Sequence, residues 1–205
     1  MDDFIAAMRA SPIAGKEMDL YEIYDRFEEE VSDYKRNAVC LKGCSFCCTF
    51  MGNVDITTLE GVIIRRRLSA FAHGEQSSFF SGIEVNRVEK EKGRNSPCPF
   101  LDDQRACSIY DVRPFSCRQL YSLKKCEGRG ATIHRRAYEL SRKAINRIQQ
   151  LDDTGYSGHL SFILHLIEGT EFRKFYFAGK FDPDRIRDFG RSHGIFINRR
   201  AQNTT

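Results

Sequence analysis

Cysteine is the residue type best placed to do chemistry in this 205-residue chain, which carries eight of them. Four, Cys40, Cys44, Cys47 and Cys48, crowd into the stretch CLKGCSFCC. Thiols this dense suit a disulfide framework, a metal or iron–sulfur site, or the cluster loop of a radical enzyme. At about 100° per residue a helix would point them at about 0°, 40°, −20° and 80°, so at least three sulfurs would share one side. Gly43 weakens a helix here by up to about 1 kcal/mol, which leaves a turn-rich loop as the other geometry. Both gather the sulfurs.

The other four, Cys98, Cys107, Cys117 and Cys126, follow at intervals of nine, ten and nine residues. That spacing suits a hairpin and a turn folding over a site rather than a local knuckle. Eight thiols can serve two four-sulfur sites, or one cluster with spares. All-thiolate ligation favours zinc or iron–sulfur clusters over hard cations. Four thiolates around a divalent ion leave about two negative charges to be balanced by hydrogen bonds and cations. Arg113 and Arg118 bracket Cys117 in RPFSCR and are the candidates to hold that charge beside the cofactor, or to anchor Asp111. The plainer reading makes each cysteine a small buried hydrophobe and each arginine a surface cation.

The redox compartment bears on the same choice. The chain opens MDDFIAAMRASP, with acids where a secretory signal would carry basic residues. Its longest apolar run, LSFILHLI at 160–167, is too short to span a bilayer. The expectation is a cytoplasmic protein, where structural disulfides are disfavoured. Adjacent Cys47 and Cys48 would also be awkward partners for two separate bridges. Net charge is +4 but uneven, with residues 1–123 summing to about −3 and the remainder to about +7. The basic excess in HRRAYELSRKAINR offers a nucleic-acid surface as one reading and a solvated helix face as the other.

Around the cysteines the pattern is mainly α, with a small β-hairpin at the cysteine-rich metal site. Residues 18–37 place Leu20, Ile23, Tyr24, Phe27, Val31 and Tyr34 at helical spacing. Thr57 with Glu60 forms a capping box for a helix running to about Ala70. Residues 79–92 read as another helix with Phe80, Ile83 and Val88 inward, and GRNSP then breaks the chain. CPFLDDQRACSIY reads as two short extended runs around a polar turn, with Pro114 opening a fresh segment. Beyond Gly130, Ala137, Leu140, Ala144, Ile148 and Leu151 make one helical stripe. GHLSFILHLIEG is read as a buried helix, and Asp182 with Pro183 begins a short C-terminal one. The tail after Arg199 is expected to fray. One domain, 1–205, is expected, made of a helical segment 1–37, a cysteine-cluster module 38–126 and a helical segment 130–198.

Two resemblances follow from these residues. CLKGCSFC resembles the C-x3-C-x2-C loop of radical S-adenosylmethionine enzymes. That family sets the loop after the first strand of a partial (β/α) barrel, whereas here a charged helix precedes it and no β/α train follows. CLKGCSFCC, with CPFLDDQRACSIYDVRPFSCR some fifty residues later, is similar to the C-x3-C-x2-CC cysteine-cluster family. That family is also called YkgJ-like, is described as chelating zinc or iron, and has relatives described as flagellin lysine methylases. The likeness covers roughly residues 38–120. It maps onto Cys40, Cys44, Cys47, Cys48, Cys98, Cys107 and Cys117, with Pro99, Phe100, Ile109, Tyr110, Arg113, Pro114 and Arg118 alongside. Cys126 lies past its firm part. The resemblance implies a metal or iron–sulfur site and barely constrains any reaction.

Outside the cysteines little competes. His159 and His165 sit six apart, on different faces of a helix, and His73, His134 and His193 carry no ligand spacing. There is no phosphate loop, dinucleotide fingerprint or nucleophile–base pair. The expectation is a cysteine-cluster metalloprotein, with a [4Fe–4S] cluster favoured and zinc as the alternative. An enzyme of the methylase or redox kind, and a zinc-stabilised module binding nucleic acid or a protein partner, remain as other readings.

Overall fold

The structure is a computed structural model and describes residues 3–40, 43–128 and 130–199. Its helices are α1 (Asp3–Arg9), α2 (Ile13–Lys35), α3 (Thr58–Leu68), α4 (His73–Glu91), α5 (Phe115–Arg118), α6 (Arg135–Leu151), α7 (Leu160–Glu168), α8 (Thr170–Phe177) and α9 (Arg187–His193). The strands β1 (Asp55–Thr57), β2 (Tyr156–His159) and β3 (Phe196–Ile197) form one antiparallel sheet in the order β1-β2-β3. Mainly α with a small β component is therefore the architecture. The tail whose fraying was expected lies, from residue 200 on, outside the described residues.

The stripes read from the sequence form the core. Leu20, Tyr24, Phe27 and Val31 of α2 are buried, as are Ala137, Ala144 and Ile148 of α6, and the two helices pack along their lengths. Helix α7 is buried almost all round, with Leu160, Phe162, Ile163, Leu164 and Ile167 inside. That suits its unbroken apolar run. It packs on α3 so closely that a Cβ on Gly61 would lie 2.5 Å from Ile167 Cδ1. Helix α4 begins at His73, a turn and a half earlier than its apolar pattern suggested, because residues 73–78 are polar and exposed or half-exposed.

The sheet is the feature that local pattern did not announce. Ile56 pairs with Gly158 and Ser157 with Phe196, so its partners are separated by a hundred residues or by forty. Two of the strands run straight into a helix, the edge strand β1 into α3 and the central strand β2 into α7. Thr58 Oγ1 accepts from the Tyr156 N–H at 3.0 Å and donates to the Tyr156 carbonyl at 3.2 Å. The expected hairpin exists beside it as a tight loop closed by a single bridge, Leu101 to Cys107. Two buried carboxylates tie these layers together. Asp152 accepts from Leu59 N–H (3.0 Å), Tyr176 O–H (2.6 Å) and Asn198 Nδ2 (3.0 Å). Burial pushes its pKa up to about 7, and the Tyr176 and Leu59 hydrogen bonds only partly offset this. Glu60 is the other.

Candidate metal centre

Among the described residues, 43–45 of the stretch holding the first four cysteines are turn and coil rather than α-helix. Gly43 sits at φ +87°, in the left-handed region that glycine adopts freely. Helical geometry resumes only at Phe46 and leads into a π-helical turn Cys47–Met51 that Gly52 ends at φ +60°. Such turns are wider than α-turns and are frequent at functional sites. Cys40 and Cys44 are exposed, while Cys47 and Cys48 are half-buried. His159 holds the end of this turn, its Nε2 2.9 Å from the Gly52 carbonyl and its Nδ1 2.8 Å from Ser161 Oγ. Burial lowers its pKa, so the ring is neutral at pH 7.

Three further segments come to this loop. The Cys98 N–H donates to the Cys48 carbonyl at 2.7 Å. The tight hairpin sets Cys107 beside Cys98, with Ser108 N–H on the Phe100 carbonyl at 2.9 Å. Arg105 at its tip, at φ +62°, reaches back to Ser45 Oγ at 2.9 Å, between Cys44 and Cys47. Cys117 rides on α5, whose first N–H, that of Phe115, donates to Glu60 Oε1 at 2.7 Å. Glu60 therefore does more than cap α3. Its Oε1 also accepts from Tyr24 O–H at 2.6 Å, and its Oε2 accepts from Thr57 N–H at 2.8 Å and Thr57 Oγ1 at 3.1 Å. Finally, the Ser122 N–H donates to Cys40 Sγ at 3.2 Å, holding the segment that leads to Cys126.

All eight cysteines are free thiols. Burial, then the repulsion of neighbouring thiolates, pushes Cys47 up to about 11. Burial pushes Cys98 up to about 12, against an opposing hydrogen bond from the Phe100 N–H. Cys117 is pushed well up by burial and by the charges of Cys98, Cys48 and Cys107. Without a cation among them these thiols hold their protons, and only a bound cation would let them ionise together near neutral pH. Among the described residues no three Cys, His, Asp or Glu side chains stand close enough together to hold a metal ion. The donors nevertheless fit one in chemistry. N–H groups of Ser122, Phe100 and Ile109 point at the sulfurs of Cys40, Cys98 and Cys107. Such bonds stabilise metal-bound thiolates.

Arg113 adds to that fit. Its positive charge lowers the pKa of both Cys107 and Cys117, and its buried Nε lacks a hydrogen-bond partner among the described residues. A metal-bound sulfur would supply an acceptor. Arg118 turns the other way, over the Tyr24 ring at 4.6 Å, with its guanidinium donating to the carbonyls of Arg113 and Asp111. Asp111 itself pairs with Arg67 at 2.8 Å. Arg105, Ser122 and the second role of Glu60 escaped sequence reading. Only the position of Arg105 at a hairpin tip hinted at contact with another loop. Of the histidines, His134 caps α6 and His193 pairs with Glu91 at 2.9 Å.

A helical scaffold that delivers free thiols from four chain segments to one surface defines a cysteine-cluster, metal-binding protein. Residues 39–138 match the model of the CxxCxxCC family, whose description is "Putative zinc- or iron-chelating domain". The matched segment carries all eight cysteines of the chain. Neither a curated protein nor a solved structure shows significant similarity to the chain. No helix among the described residues is long and apolar enough to cross a membrane.

Proposed function

We propose that this protein is a metalloprotein whose cysteines bind a [4Fe–4S] cluster, with zinc as the competing occupant. The observation that carries it is a set of eight free thiols, three of which (Cys40, Cys98 and Cys107) receive backbone N–H groups at sulfur, within a segment that matches a chelating family. Cys40, Cys44, Cys47, Cys48, Cys98, Cys107, Cys117 and Cys126 supply the ligands, and Arg113 supplies balancing charge. Arg118 braces the 111–113 loop that carries Arg113. Free thiols in this number suit a reducing compartment, and a cytoplasmic location is part of this reading. When bound, an iron–sulfur cluster would supply one-electron redox chemistry, and zinc would serve as a structural tie.

Anaerobic purification followed by iron, acid-labile sulfide and zinc per chain tests this. Near-equal iron and sulfide with a brown charge-transfer band supports the cluster. Zinc in a colourless sample selects the structural metal. A chain free of all three after refolding with each removes the reading. A second reading rests on the groove between α2 and α6, about 380 Å³, where Arg26, Arg136, Lys143 and Arg147 face solvent beside Glu30. Binding of RNA or DNA there would weaken steeply as salt rises. Salt-independent or absent binding removes it.

A further inference from the structure

Helix α6 carries Arg135, Arg136, Arg142, Lys143 and Arg147 against a single acid, Glu139. Three of these cations form a row. At 100° and 1.5 Å per residue, Lys143 and Arg147 stand within about 20° of Arg136, at about 10 and 16 Å along the axis. All three line the groove between α6 and α2, whose volume is about 380 Å³. Arg26 and Glu30 of α2 stand across from them. Arg26 meets Glu30 at 3.2 Å and Arg136 meets Glu139 at 3.2 Å, each pair three or four residues apart and open to water. Water screens such pairs, so a polyanion can displace the carboxylates. Lys143 and Arg147 are exposed and form no ion pair among the described residues.

One end of the groove is aromatic. Tyr34 lines it and stacks on His134, with ring centroids 4.6 Å apart and planes 15° off parallel. His134 is exposed, and its Nδ1 accepts from the Arg136 N–H at 3.2 Å, which fixes the ring at the start of α6. An exposed flat ring beside a row of cations is the combination that holds a base and its phosphates. The surroundings select the form of the strand. The row lies in a recess between two packed helices, not on a ridge that could enter the major groove of a duplex. Beyond Arg26, the solvent flank of α2 carries exposed Glu22, Asp25 and Glu29, which repel a second strand lying across it.

We propose that this groove binds single-stranded nucleic acid, with phosphates along Arg136, Lys143 and Arg147 and a base stacked on the His134 ring. This rests on the second reading of the groove given above and holds whichever metal the cysteines bind.

Fluorescence anisotropy with the full-length, reduced chain tests it. The probes are a labelled mixed-sequence strand of about 12 nucleotides, its duplex, and an abasic strand of equal length. The single strand should bind more tightly than either comparison by about 5- to 150-fold, the worth of one stacked base that a duplex hides and an abasic strand lacks. Three phosphate contacts predict a slope of about −2 for log K against log salt, and Arg147→Gln should make it shallower by about 0.7. His134→Asn keeps an acceptor at the helix start but removes the ring, so affinity should fall by the same factor with the slope unchanged. A duplex or abasic strand bound as tightly as the single strand, or full affinity in His134→Asn, overturns the single-strand site and leaves nucleic-acid binding standing. An unchanged slope in Arg147→Gln, or no binding of any probe, overturns both. A glutamate peptide of equal charge that competes as well as the strand also overturns both and assigns the groove to an acidic protein segment.

Discussion

Replacing Glu60 by Gln should loosen both the helical core and the approach of Cys117 to its partners. The carboxylate is 4 % exposed and accepts hydrogen bonds from three chain segments, through Thr57, Tyr24 and Phe115. An amide of the same shape presents one oxygen and one NH2 group. If the oxygen keeps Phe115 N–H and Tyr24 O–H, the NH2 faces the Thr57 N–H. If it keeps Thr57, the NH2 faces Phe115 N–H at the start of α5. Either way one buried N–H loses its acceptor and meets a donor, costing about 1–3 kcal/mol, or about 5- to 150-fold in the folding equilibrium. Urea unfolding of the metal-free chain measures this directly. The internal control is Glu75→Gln, since Glu75 also accepts an N-terminal amide, Ala72 N–H at 3.1 Å, but at an exposed position. A Glu60→Gln loss no larger than the Glu75→Gln loss would refute the hub assignment. If α5 alone is released, metal bound through Cys117 should also exchange faster.

Asp152 makes a pH prediction of definite sign. Its folded pKa is raised to about 7, so the stability linked to its proton is full below about pH 4 and is lost as pH rises towards 7. Asp152→Asn should flatten that slope by up to about 4 kcal/mol in unfolding free energy across the window, and an unchanged slope would count against it. Gly61→Ala should lower the melting temperature despite the better helix propensity of alanine, because its Cβ would press on Ile167 and Ile163. The expected cost is about 1–3 kcal/mol, and a gain in stability would contradict the packing. Metal retention should fall steeply as pH falls, because Cys47 and Cys98 hold their protons up to about pH 11 and 12 before a cation binds. Calorimetry in buffers of different ionisation enthalpy should therefore read more than one proton released per metal, and none released would be inconsistent with thiolate ligation.

Some of the molecule can be read by periodicity because it is decided locally. The α2 and α6 stripes and the Thr57–Glu60 capping box depend on residues three or four apart, and all three appear in the structure. The three-stranded sheet could not be read this way. Its strands are two to four residues long, and β2 is the polar stretch Tyr-Ser-Gly-His, whose pairing depends on residues far away in the chain. The first cysteine loop fell between the two cases. Its glycine signalled the break in helix, but the π-helical turn that carries both Cys47 and Cys48, closed by Gly52 and held at its end by His159, left no local signal.

Thiol chemistry was determined by the sequence itself, because ligand type depends only on side-chain identity and cysteine spacing is covalent. Which sulfurs stand together was decided by tertiary structure alone. Cys98 joins Cys48 through a backbone hydrogen bond across fifty residues, Cys117 arrives on a helix held by a carboxylate from α3, and Ser122, four residues before Cys126, donates its N–H to Cys40 Sγ. None of these contacts leaves a period or a motif in the chain, since each joins one unremarkable amide to one distant acceptor. Only packing of the helices brings such pairs within hydrogen-bonding distance.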